Sequence, residues 1–226
     1  MRLSLTALLA LCAFSSGAAM AEDFSLGKTY LRLDTGASFS RKLNSGDDDV
    51  GTGGIIGGGI GYRFNDHLRS DVTLAYRAGY KASGASTTDA GTGDTLSVGK
   101  ADISSTAVMT NLYYDVATID RFTPYVGGGL GLAFNKTDAA RMSVNGSDVG
   151  QGTSTTNTDL AWQLSAGASI AVTGNLSADI GYRYQDLGKV KAGINDFTPN
   201  GESTAMGGGK GSLSAHEIQA GMRYNF

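Results

Sequence analysis

The chain has two prolines, two histidines, one tryptophan and one cysteine in 226 residues. A single cysteine excludes a disulfide framework. Charge is sparse too, at 17% of residues with a net of −3 and a pI near 5.3, which excludes a basic nucleic-acid binder. Beyond the N-terminus no apolar run approaches the ~18 residues of a membrane-spanning helix, and the mean hydropathy is −0.11. Glycine, by contrast, is abundant at 34 residues, with no collagen-like period. These features leave a β-rich domain, either soluble or closed into a membrane barrel.

The first 21 residues read as an export signal. Met1-Arg2 gives a positive start, Leu3 to Phe14 is almost continuously apolar, and Ala19-Met20-Ala21 fits a small-x-small cleavage site. Cleavage before Glu22 would leave residues 22–226 as one domain without cysteine, which suits passage through an oxidising compartment. Cys12 follows the bulky Leu11, which argues against lipidation.

The remainder alternates in steps of two. Eight strands are expected, near Thr29–Ser40, Ile55–Phe64, Leu68–Tyr80, Ser104–Val116, Phe122–Asn135, Leu160–Val172, Leu176–Gln185 and Leu213–Phe226. Splitting each by parity gives one face with no charge in roughly forty-five positions, where average composition would place about seven. The other face carries Arg32, Asp34, Arg63, Asp71, Arg77, Asp115, Asp179, Arg183, Glu217 and Arg223, balanced in sign and mixed with Gly, Ser, Gln and Asn.

Alternation alone also fits a secreted β-sandwich. Three features favour a membrane barrel. Aromatics gather at the strand ends, Tyr62, Phe64, Tyr114, Phe122, Tyr224 and Phe226 at one and Phe39, Tyr80, Phe134, Trp162 and Tyr184 at the other, as two bilayer interfaces select. Short connections near 65–67, 117–121 and 173–175 alternate with long ones near 41–54, 81–103, 136–159 and 186–212. The last strand closes on Tyr224 and Phe226, an ending like the signal read by the outer-membrane assembly machinery. The expectation is all-β: an eight-stranded antiparallel up-and-down transmembrane barrel.

Gly61-Tyr62-Arg63-Phe64-Asn65-Asp66-His67-Leu68-Arg69-Ser70-Asp71, Asn111-Leu112-Tyr113-Tyr114-Asp115, Thr123-Pro124-Tyr125-Val126-Gly127-Gly128-Gly129 and Asp179-Ile180-Gly181-Tyr182-Arg183-Tyr184 resemble the small porin-family, OmpA-like outer-membrane barrels abundant in alphaproteobacteria. The resemblance implies a multi-pass protein of the Gram-negative outer membrane, embedded among lipids and lipopolysaccharide. It does not imply peptidoglycan anchoring.

An eight-stranded barrel has little free lumen, so the ten inward charges are expected to pair into a plug. Arg183 and Glu217 fall at similar height on adjacent strands; Arg32, Arg63, Asp71, Asp115, Asp179 and Arg223 cluster toward the periplasm. His216, near Ser214, suggests a lipid A-modifying enzyme, but Glu217 has the wrong parity to orient its imidazole. Asp47-Asp48-Asp49 lacks calcium-loop spacing, and the Gly-Lys pairs at 99–100 and 209–210 lack the residues of a phosphate loop. No catalytic, metal or cofactor site is expected. The leading expectation is a non-enzymatic envelope protein whose loops meet host surfaces, phage or lipopolysaccharide; a narrow channel or small-ligand uptake, haem included, is the alternative.

Overall fold

The computed structural model describes residues 26–41, 51–82, 85–88, 91, 93–139, 141–151, 154–191 and 210–226. The proposed signal segment 1–21 and Asp47–Asp49 lie outside the described residues. Among the described residues a 3-10 turn at Leu26–Lys28 leads into twelve strands. They are β1 (Thr29–Arg41), β2 (Gly51–Arg63), β3 (Leu68–Ala82), β4 (Ala85–Thr88), β5 (Thr95–Val98), β6 (Ala101–Asp115), β7 (Phe122–Thr137), β8 (Arg141–Val144), β9 (Ser147–Gln151), β10 (Thr155–Ala171), β11 (Leu176–Lys191) and β12 (Lys210–Asn225). Eight of these close into an antiparallel barrel in the order β1-β2-β3-β6-β7-β10-β11-β12, with β12 pairing back onto β1. The four short strands form a separate sheet, β4-β5-β8-β9, from the second and third long loops.

The barrel is inside out relative to a soluble protein. Leu33, Ile56, Leu130, Leu160 and Ile218 face outward and are more than half exposed, while Arg32, Arg77, Asp71 and Glu217 are buried. A wall of uncharged side chains around a charged interior fits hydrocarbon outside, because closure leaves no unpaired strand edge for lipid to desolvate. The lower girdle forms as expected: Tyr114, Phe122, Tyr224 and Phe226 point outward at the short-turn end, with Tyr62 edge-on to Phe64 and Tyr224 edge-on to Phe226.

One girdle residue is not where alternation puts it. Tyr80 is fully buried, because the β3–β6 register shifts between Arg77 and Tyr80, with Gly79 at φ 104°. The bulge inverts side-chain parity above it and turns the Tyr80 ring into the lumen, where its hydroxyl bonds Ser38. Tyr76 stands outward in the upper girdle instead.

The short turns are held locally. Asn65 Oδ1 accepts the backbone N–H groups of His67 (2.9 Å) and Leu68 (2.8 Å), and Thr173 Oγ1 accepts that of Leu176 (3.1 Å). The barrel strands run further into the long loops than hydropathy shows. β11, for instance, continues to Lys191, because backbone pairing persists where side chains leave the lipid-facing pattern.

Inward-facing glycines set the shape of the lumen. A Cβ at Gly61 would meet the ring of Tyr30, and one at Gly127 the ring of Tyr113; at Gly167 and Gly181 it would meet the hydroxyl of Tyr125. Each tyrosine lies across a strand that has no side chain at that point, which lets three rings enter an interior too narrow for them otherwise. Gly127→Val should therefore destabilise the barrel by about 1–3 kcal/mol, read as a lower urea midpoint in detergent. Adding Tyr113→Ala should recover part of the loss.

Candidate functional site: the lumen and the surface sheet

The lumen is stacked in layers. At the periplasmic end the Arg69 guanidinium lies 4.3 Å from the ring centre of Tyr113 and 4.8 Å from that of Tyr125, and these two rings meet edge-on at 5.7 Å. Arg69 also pairs with Asp115 at 3.1 Å. Nearby, Arg223 Nη2 donates to Ser169 Oγ at 2.7 Å and lies 3.7 Å from Asp179. Arg63, half-buried, faces Arg69 in the strand register at the same mouth.

The next layer is centred on Asp71. It accepts from Arg32 Nη1 (2.9 Å), Tyr30 Oη (3.1 Å) and Asn111 Nδ2 (2.7 Å). Arg32 also holds Asp34 through Nη2 at 2.7 Å and donates to Tyr113 Oη at 3.0 Å. Gln163 extends the network across the barrel, giving its amide to Asn111 Oδ1 at 2.7 Å. A buried carboxylate needs donors on its oxygens for such a charge to persist, and here they come from two strands besides its own, β1 and β6.

Above this sits Glu217 between two arginines. Arg77 Nε donates to Oε1 and Arg183 Nε to Oε2, both at 2.6 Å, while Ser38 Oγ donates to Oε1 at 3.2 Å. Arg77 also bonds the Gln185 side-chain oxygen. The adjacent Arg183 and Glu217 are direct partners in the β11–β12 ladder; Arg77 reaches them from across the lumen. The top is apolar: Tyr80, Ile103, Ala107, Met109, Ala133, Ala161, Leu187 and Leu213 form a buried cluster.

Two parts of this interior escaped the sequence reading. Arg69 lies inside the expected strand Leu68–Tyr80 with the parity of Asp71 and Arg77, so the same alternation marks it as inward. The apolar cap was not expected on a face read as polar. Its signal was Leu187 and Leu213 in phase with Gln185 and Glu217.

The outward His216 is engaged by aromatic neighbours. Its Nδ1 is engaged by the Tyr182 hydroxyl and its ring packs 5.2 Å from Tyr184. Glu217 points the other way, into the lumen. Among the described residues no group of three or more His, Cys, Asp or Glu side chains could hold a metal.

The four short strands form a sheet from two hairpins. Ser86 and Ser97 share a hydroxyl contact at 3.2 Å, as do Thr88 and Thr95 at 3.0 Å, and Ser97 continues opposite Ser143. Asn145 ties the hairpins together: its Oδ1 accepts from Thr95 N (2.9 Å) and its Nδ2 donates to Asp94 (2.7 Å). Asn145 (φ 48°) and Gly146 (φ 80°) form the tight turn between β8 and β9; an Asn-Gly pair is a hairpin signal, and the reading of 136–159 as a long connection passed over it.

A profile of the outer membrane protein beta-barrel domain matches residues 6–226. The chain belongs to that family. It is 32% identical over 185 residues to outer membrane protein PagN of Salmonella typhimurium, covering 77% of this chain and 74% of that one. Over 207 residues, 87% of each chain, it is 29% identical to a Rickettsia felis protein named "Putative adhesin". The crystal structure of Neisserial surface protein A superposes with a TM-score of 0.56 at 22% identity, covering 88% of this chain and 97% of that one, and so shares the fold. The family member described here is a multi-pass β-barrel of the outer membrane.

The Glu217 triad gives a direct test of the lumen energetics. Glu217→Ala leaves Arg77 and Arg183 buried without their shared counter-charge and should cost about 3–5 kcal/mol in urea unfolding from lipid vesicles. The triple exchange Arg77→Met, Arg183→Met, Glu217→Leu should recover most of that.

Proposed function

We propose that this protein is a non-enzymatic outer-membrane barrel that contributes to envelope integrity and presents its loops for attachment to surfaces, with a lumen closed to solutes. The observation that carries the reading is the stacking of Arg–Tyr, Asp71-centred, Glu217-centred and apolar layers across a single narrow barrel. Such a filled interior leaves the loops as the part available for interaction. The sheet β4-β5-β8-β9 supports this, since it holds two loops in one fixed surface. The name of a 29% identical Rickettsia felis protein, "Putative adhesin", points the same way. The surface sheet offers hydroxyl and amide groups, from Ser86, Thr88 and Asn145, rather than an aromatic anchor. A polar partner on a host cell, a phage or neighbouring lipopolysaccharide fits it better than an apolar one.

In this reading lipids surround the barrel, and the assembly machinery receives the last strand through the outward Tyr224 and Phe226. Phe226 N–H bonds Thr29 O at 3.1 Å, where the first and last strands close the ring. Nucleic acid has no part in it. Solute or haem uptake is the competing reading, and a lipid A-modifying activity is disfavoured by the bonding of His216 to Tyr182.

In planar bilayers the purified protein should give no large, stable conductance; a persistent open state would refute the plug. Gly146→Val, which forces a β-branched residue to φ 80°, should disrupt the surface sheet. The barrel should keep its heat-modifiable gel mobility, while bacteria expressing the variant lose attachment to host-cell monolayers. Unchanged attachment would remove the surface sheet from the function.

A further inference from the structure

Two bulges lie on opposite walls of the barrel, and each puts an apolar side chain into the lumen at its loop end. On β3 the register shift at Gly79 turns Tyr80 inward beside its ladder partner Ile103 of β6. On β11 the register shifts between Asp186 and Lys189, where Gly188 sits at φ 74° and Leu187 enters the lumen beside Leu213 of β12. β3 and β6 stand four places around the ring from β11 and β12. Their four side chains nevertheless join one buried cluster, so they span the lumen from wall to wall.

Both bulges are held in place. Tyr80 Oη donates to Ser38 Oγ. Asn135 Nδ2 donates to Leu187 O at 2.8 Å, Gly188 N–H to Asp186 Oδ1 at 2.8 Å and Lys189 N–H to Asp159 Oδ2 at 2.9 Å. A Cβ at Gly188 would meet Asp159, so the bend needs glycine there. Tyr80, Ile103, Leu187 and Leu213 are each at most 2% exposed.

The layers beneath are of another kind. The Asp71 and Glu217 clusters are chains of charged and amide groups, which water can bridge and an ion can join by exchanging partners. The cap offers no such exchange. An ion crossing it sheds its hydration against hydrocarbon, with no counter-charge to replace the lost water. A dry apolar constriction therefore stops ions by excluding water, whereas a polar one of the same width can stay wet.

We propose that the cap of Tyr80, Ile103, Leu187 and Leu213 is a dewetting barrier and is the element that closes the lumen to ions. The charged layers below order the barrel but do not seal it. The inference rests on the closed lumen proposed above and names the side chains that close it.

The test is current recording from the full folded chain in planar bilayers, with heat-modifiable gel mobility confirming that each variant folds. Leu187→Asn with Leu213→Asn keeps the branched shape of leucine and makes the cap polar. It should raise the mean current at least about tenfold over the native chain, a modest part of the penalty for desolvating an ion. Glu217→Gln, which unbalances the charged layer and leaves the cap dry, should stay as silent as the native chain. If the double exchange does not fold, Leu213→Asn alone should raise the current in the same direction. A folded asparagine variant that stays silent overturns the barrier. So does a Glu217→Gln current as large as that of the cap variants. A large, stable current through the native chain instead overturns the closed lumen on which the inference stands.

Discussion

Closure of the hydrogen-bonded ring is the constraint from which the rest follows. The β1–β12 ladder joins the two ends of the chain over twelve residue pairs, from Tyr30 opposite Asn225 to Arg41 opposite Ser214. With that seam made, no barrel strand has an edge, and the outer wall can be apolar without desolvating a backbone group. The wall then has to be uncharged and the polar residues have only the lumen to enter. Solvent and core exchange places relative to a soluble sheet protein.

The narrowness of the ring decides what the lumen can be. Side chains from all eight strands converge there, and buried charges persist only if each has its counter-charge and donors in place. Asp71 and Glu217 show how this is achieved. Each carboxylate gathers donors from several strands, and amides such as Asn111 and Gln163 carry the network between layers. Glycine makes it sterically possible, since Tyr30, Tyr113 and Tyr125 fit only because Gly61, Gly127, Gly167 and Gly181 present bare backbone beneath them. The high glycine content therefore answers to the interior of the barrel as much as to its loops.

The barrel was legible in the sequence because lipid imposes a strict period of two on every spanning strand. The face of Arg32, Asp71, Arg183 and Glu217 could be assigned from parity, and the adjacency of Arg183 to Glu217 from counting along neighbouring strands. Tyr80 shows where that logic ends. A bulge at Gly79 shifts parity by one, and nothing in the hydropathy of Ala78-Gly79-Tyr80 marks the shift. The participation of Arg77 in the Glu217 cluster was out of reach for another reason: it crosses the lumen, and its height relative to β11 and β12 depends on the stagger of the whole ring. Strands β4, β5, β8 and β9 belong to a sheet separate from the barrel wall, where no lipid enforces alternation, so Ser-Thr-Thr and Thr-Leu-Ser-Val segments read as loop.

The pairing of β5 with β8 bears on how such a surface can change over time. A free loop can accept insertions piecemeal. Here Leu96 faces Val144 and Val98 faces Met142 across one ladder, although each pair comes from two different connections between barrel strands. An insertion within β5 or β8 would break the register of the pair. The two segments are therefore expected to drift together, by substitutions that keep strand length, while diversity in length accumulates elsewhere on the rim.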